Sequence, residues 1–152
     1  MPFRQTTVAG FPAIALRSDV IEVVAVPAIG MKLTHLRRLR GREWLWRSDQ
    51  IPLAVPHPGA SYTETGGSGG WNECFPTVGP SPIPGAPAGT PPLPDGGELW
   101  SADWASSVYE HADGTTLSSA ELEALSDLFG LPDQVELVIL SLFTPAQSLL
   151  GA

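Results

Sequence analysis

Two short stretches hold most of the residues able to do chemistry. Trp71, Asn72 and Glu73 stand in a row between Gly69-Gly70 and Cys74-Phe75-Pro76, and Asp95, Glu98 and Trp100 repeat the mixture further along. An indole face stacks on ring-shaped ligands, an amide both donates and accepts hydrogen bonds, and a carboxylate accepts them or exchanges a proton. Flanking glycines let the backbone approach a ligand closely. Residue types alone leave a second reading open. Trp71, Phe75 and Trp100 could equally be core plugs beneath a long loop, the commoner fate of aromatic side chains.

Other reactive groups carry less. His57, Cys74 and His111 have no paired ligand spacing, so no metal is expected. Gly66 to Gly70 could suggest a phosphate loop, but no Lys follows it. Glu64 and Glu73 flank it, and an anion there is expected to be repelled. Cys74 lacks a motif partner and reads as a buried, inert thiol. His35, His57 and His111 read as surface histidines.

The elements that must position these groups belong to a chain of 152 residues with 43% hydrophobic content, which suits one globular domain. No run of about 18 apolar residues is present, so no membrane partner is expected. The N-terminus does not read as a signal peptide, and one cysteine forms no internal disulfide. A cytoplasmic protein is the expectation. The net charge of -8 disfavours nucleic acid as a partner. Lys32, Arg37, Arg38, Arg40, Arg42 and Arg47 cluster, yet they alternate with Leu33, Leu36 and Leu39. The cluster reads as the solvated face of a strand or hairpin.

Strand patterning dominates the first part of the chain. Residues 11–16, the β-branched run 20–26 and residues 31–39 read as strands of an antiparallel meander. Pro27 and Gly30 mark one turn and Arg40-Gly41-Arg42 another. Trp44 and Trp46 lie two apart on the following segment, face one side, and are assigned to the core. Residues 51–99 form a long loop, because eight prolines from Pro76 to Pro94 exclude both helix and central strand. Residues 99–109 read as a strand returning to the sheet, and Asp113-Gly114 as a hairpin turn. Ser118 to Glu121 then fits a capping box, with Leu122, Leu125, Leu128 and Phe129 at helical spacing. That predicts a short C-terminal helix. Residues 135–143 read as strand or helix.

Three segments in order carry a family resemblance. They are Gly10-Phe11-Pro12-Ala13-Ile14 through Pro27-Ala28-Ile29-Gly30-Met31-Lys32-Leu33 and Arg42-Glu43-Trp44-Leu45-Trp46; Ser68-Gly69-Gly70-Trp71-Asn72-Glu73-Cys74-Phe75-Pro76-Thr77; and Leu93-Pro94-Asp95-Gly96-Gly97-Glu98-Leu99-Trp100-Ser101. Together they resemble the N-terminal half of the galactose-mutarotase-like, or aldose 1-epimerase, family. The resemblance implies a mainly β fold, an antiparallel sandwich of which this chain holds one part. It divides the chain into a sandwich part, 1–112, and a divergent tail, 113–152, helical or poorly ordered. It implies a small-molecule sugar as ligand, with Trp71, Asn72, Glu73, Asp95, Glu98 and Trp100 as substrate-binding residues.

The family interconverts the α and β anomers of an aldose without a cofactor, using a general acid, usually His, and a general base, usually Glu, on either side of the ring. Two departures bear on that chemistry. The motif position that commonly carries His is Gly96 here, and the family's catalytic carboxylate comes from a second half that this chain lacks. Catalytic residues are therefore unassigned. The expected function is sugar binding with anomer exchange if the chain is active. The alternatives are a non-catalytic carbohydrate-binding module or an inactive fragment. Half a sandwich leaves a sheet face and edges open, so a marginally stable chain, or a homodimer through the open sheet, is expected.

Overall fold

The computed structural model describes residues 3–57, 59–65, 67–110, 116–122 and 135–139. Its first sheet is an antiparallel meander of four strands in chain order: β1 (Phe3–Val8), β2 (Phe11–Arg17), β3 (Ile21–Val26) and β4 (Lys32–Arg38). The strand pattern of the sequence anticipates β2 to β4, while β1, more polar, was not foreseen. A second antiparallel sheet joins β5 (Ala105–Glu110), β6 (Thr116–Leu122) and β7 (Val135–Ile139).

The expected C-terminal helix meets a correction here. Residues 118–122, its capping box and first apolar position, lie in β6, where the backbone pairs with β5 on one side and β7 on the other. Two ladders of interstrand hydrogen bonds outweigh a local capping preference. The other positions of that helix, Leu125, Leu128 and Phe129, lie outside the described residues, as does Asp113-Gly114. Residues 99–101 form a 3-10 turn, so the strand expected over 99–109 is shorter, and as β5 it pairs with β6 in the second sheet instead of returning to the first.

The core sits on one face of the first sheet. Val8, Ala13, Ala15, Val24, Val26 and Ile29 pack together, with Phe11 and the loop residue Leu53 against them. Along β2, Ala13 to Leu16 are all buried, so both faces of the sheet are covered there. The proline-rich segment and the residues that follow it contribute further buried side chains, Ala60, Leu93, Leu99, Trp100 and Trp104. Trp104 N–H donates to the Pro27 carbonyl, and Gly30 N–H donates to that of Ala102, at 3.3 and 2.8 Å. The loop's end is thereby clamped under the turn between β3 and β4.

One irregularity decides where the site falls. The β3–β4 register runs Glu22 opposite Arg37 and Val24 opposite His35, then slips, so that Ala25 meets Leu33 and Val26 meets Lys32. Thr34 is the extra residue. It is fully buried, and its hydroxyl donates to the Val24 carbonyl at 3.3 Å. Side chains alternate along a strand, so a one-residue slip exchanges faces. Lys32 therefore shares the core face with Val26 instead of the face of Leu36 and Arg38. Among the described residues, no helix is long and apolar enough to cross a membrane.

Candidate functional site

The free edge of β4 is lined by two pieces of irregular chain. Glu43 bridges Arg37, and Trp71 bridges Leu33 through paired N–H···O bonds of 2.9 Å. Gly70 N–H donates to the Trp46 carbonyl at 2.8 Å. Gly70 has a φ of +81°, and a Cβ on it would stand 2.6 Å from the Leu33 carbonyl oxygen and 3.1 Å from Lys32 Cε. Only glycine allows the loop to lie this close over the stem of Lys32. The second and third motifs meet where Glu98 N–H donates to the Phe75 carbonyl at 2.8 Å and Phe75 bridges Gly97.

Within this frame four side chains form one cluster. Lys32 is 4% exposed, and its ammonium donates to Asn72 Oδ1 at 3.4 Å. Asn72 Nδ2 donates to the Tyr62 hydroxyl at 3.2 Å. Tyr62 stands edge-on to Trp100, ring centres 5.2 Å apart. The Trp100 indole N–H is buried and has no hydrogen-bond partner among the described residues. Lys32, Asn72, Trp100, Ser68 and Thr65 line a small, partly open cleft together with the apolar Ile29, Pro52, Ala54 and Pro56. Burial pushes the Lys32 amine down to about 8. Lys32 and Tyr62 were not foreseen as site residues. Lys32 was counted with the solvated basic cluster, and the bulge that turns it inward has no signature in the sequence.

The predicted site residues fall in three settings. Asn72 and Trp100 lie in the cluster. Trp71 is half-exposed at its rim, and Glu73 is exposed beside it. Asp95 and Glu98 flank it. Asp95 Oδ2 accepts the Thr63 N–H at 2.7 Å, which ties it to α1 (Tyr62–Thr65), the single turn that presents Tyr62. That backbone hydrogen bond, helped by the Ser61 and Thr63 side chains, holds the Asp95 carboxyl below its usual range. Glu98 is half-buried, and burial raises its pKa.

Gly96 is buried with a φ of +77°. A Cβ there would lie 2.8 Å from Tyr62 Cβ and 3.1 Å from Trp100 Nε1. At the position where the family resemblance places a histidine, the Tyr62 Cβ and the Trp100 indole leave no room for a side chain.

Several expectations are corrected. Trp44 and Trp46 do share a side, but it is the solvent side, with 47% and 69% exposure. The intervening side of that segment turns inward, where Glu43 Oε1 accepts the N–H groups of Leu36 and Leu45. Cys74 is exposed, not buried, because it sits in the extended rim between Glu73 and Phe75. His35 is half-buried, its Nδ1 lies 3.1 Å from the Thr34 hydroxyl, and burial lowers its pKa. His57 is exposed, and His111 lies outside the described residues. The solvated reading holds for Arg37, Arg38, Arg40, Arg42 and Arg47, but not for Lys32. No cluster of three or more His, Cys, Asp or Glu able to hold a metal occurs among the described residues.

No protein-family model matches the chain, and no curated protein matches it. Solved structures do. YeaD from Salmonella typhimurium, a mutarotase-like protein, aligns over 90% of this chain with a TM-score of 0.56 and 18% identity. HI1317 aligns over 81% with a TM-score of 0.53, also at 18% identity. The alignments take in 41% and 39% of those chains, so this chain spans about two fifths of their length. Likeness at this identity concerns the fold, which is mainly antiparallel strand and mutarotase-like.

Proposed function

We propose, from this fold and cluster, that the chain binds a pyranose sugar at the Trp71–Asn72 rim. The observation that supports it best is the pairing of a half-exposed indole with an amide held from both sides. Asn72 is oriented by Lys32 and by Tyr62, so its polar groups are fixed before a ligand arrives. Pre-ordering of this kind lowers the entropy lost on binding. Trp71 offers a face for the C–H side of the ring, and exposed Glu73 offers an acceptor for its hydroxyls.

Of the two forms this function could take, binding without turnover has the better support. Ring opening needs an acid on the ring oxygen. At Gly96, Tyr62 and Trp100 occupy the space an imidazole would need. Anomer interconversion in the manner of an aldose 1-epimerase is the second form. Glu98, half-buried with a raised pKa, is the carboxyl best suited to carry a proton in it.

The test is a titration of the labelled chain with galactose and glucose, followed by amide and indole NMR signals, with Trp71→Ala alongside. Saturable shifts that include the Trp71 indole are expected. Loss of one stacked ring should weaken affinity roughly threefold to tenfold, from about 0.5–1.5 kcal/mol per aromatic contact. Exchange spectroscopy between α and β anomers then separates the two forms. Sugar-insensitive spectra of a folded chain would defeat the reading.

A further inference from the structure

The positive charge of this chain gathers at one end of the first sheet. Of its eight basic residues, Arg17, Arg38 and Arg40 line one cleft. The cleft lies between the β2–β3 turn, Ser18 to Val20, and the end of β4, where Leu39 completes its wall. Both walls are held by hydrogen bonds. Ser18 Oγ accepts the N–H groups of Val20 and Ile21 at 3.2 and 3.0 Å. Leu39 N–H donates to the Val20 carbonyl at 2.9 Å, which carries the β3–β4 pairing one step past Arg38 and sets the two turns side by side. Gly41 N–H then closes the next turn on the Arg38 carbonyl at 3.0 Å.

These arginines differ from their neighbour Arg37, whose guanidinium the fold bonds to Glu22. Arg17 stands opposite Glu22 in the β2–β3 register but acts on it only through space. Arg38 and Arg40 form no ion pair among the described residues. Asp19 is the one carboxylate in the cleft wall, so three guanidiniums against it leave an excess of two positive charges, in a chain whose net charge is -8. Guanidinium groups present paired N–H donors that match the oxygen pairs of phosphates and carboxylates. A positive cleft on an acidic molecule draws in small anions, while the surrounding surface repels an extended polyanion. The cleft is open to solvent and measures about 510 Å³, within the range of small-molecule sites, about 300–1,000 Å³.

We propose that this cleft is a binding site for a small multivalent oxyanion, an oligophosphate or a polycarboxylate, held by Arg17, Arg38 and Arg40. An excess of two positive charges calls for a ligand with at least two negative ones. Three guanidiniums, from the ends of two strands and from a turn, call for one with several oxygen-bearing groups. The site is separate from the proposed sugar rim, since Arg38 and Lys32 lie six residues apart on β4, roughly 20 Å of strand. A bound oxyanion ties the β2–β3 turn to the end of β4.

The test uses the full chain without sugar, so its failure leaves the sugar reading standing. Tripolyphosphate and citrate are titrated by calorimetry at one ionic strength, set with sodium chloride. A single saturable site per chain is expected, and the tighter of the two anions tells which kind of oxyanion the cleft takes. Arg38→Gln should weaken that binding about tenfold, the loss of one charge-assisted contact. Arg47→Gln removes the same charge outside the cleft and should weaken it less than about threefold. Amide NMR on the wild type locates the site without any variant: the signals of Ser18 to Val20 and Arg38 to Arg40 should move with saturation. Equal losses in the two variants, shifts spread evenly over arginines outside the cleft, or no saturable binding of either anion would overturn the proposal.

Discussion

Two buried charges lie on the same face of the first sheet, and they are treated in opposite ways. Glu22 is 3% exposed and stands opposite Arg37, whose Nε donates to it at 3.0 Å, while Arg4 reaches it from β1 at 3.7 Å. Lys32 is as deeply buried at the far end of β4 and has an amide oxygen for a partner. Burial alone would raise the Glu22 pKa, but the Arg37 hydrogen bond and the charges of Arg37, Arg4 and Arg17 outweigh it, so the net shift is downward. For Lys32 burial acts unopposed. A carboxylate that the fold pairs with arginines keeps its charge at little cost, whereas an amine held only by an amide has its charged form disfavoured by burial.

The largest expected effect comes from breaking the satisfied end. Removing one partner of a buried pair costs about 3–5 kcal/mol, and here less, roughly 1–3 kcal/mol, because Arg37 is half-exposed and Arg4 remains. Arg37→Met should therefore lower chemical-denaturation stability at neutral pH by that amount. The wild type should lose this contribution on acidification, since a depressed carboxyl stabilises above its unfolded value of 4.5 and ceases to as pH falls through the folded one. A variant as stable as the wild type at pH 7 would show that Glu22 needs no partner.

Next in size is the lid over the unsatisfied end. Gly70→Ala places a Cβ against the Leu33 carbonyl at a positive φ, and strain of this kind costs on the order of 1–3 kcal/mol. The loss should be accompanied by greater solvent exchange of the Trp71 and Leu33 amides, which pair across the same bridge. Stability and exchange unchanged in Gly70→Ala would mean that the loop does not press on β4.

The smallest change at neutral pH is expected from Lys32→Met, within about 1 kcal/mol of the wild type, because an apolar replacement relieves the desolvation of an unpaired charge. Its pH profile should differ more. Between about 8 and 10.5 the unfolded chain holds the Lys32 proton and the folded chain releases it, so wild-type stability rises with pH across that window. Lys32→Met should remove this rise. An identical alkaline profile for both proteins would place Lys32 in water and dissolve the comparison.

Much of this protein was determined by local patterning. Alternating β-branched runs specified β2 to β4, proline density excluded regular structure from the loop, and the Trp71–Asn72 and Asp95–Trp100 motifs marked the segments that meet. Other features depended on contacts between residues distant in the chain. The β-bulge at Thr34 turned Lys32 into the core, and a register slip is set by packing across strands. The outward face of Trp44 and Trp46 followed from Glu43 binding the backbone of Leu36 and Leu45, since period two tells which residues share a side but not which side is wet. Residues 118–122 became strand because two partner strands were available to them. Side-chain chemistry and strand period are properties of neighbours in sequence. Register, facing and the pairing of buried charge belong to neighbours in space, and the tertiary structure alone decided them.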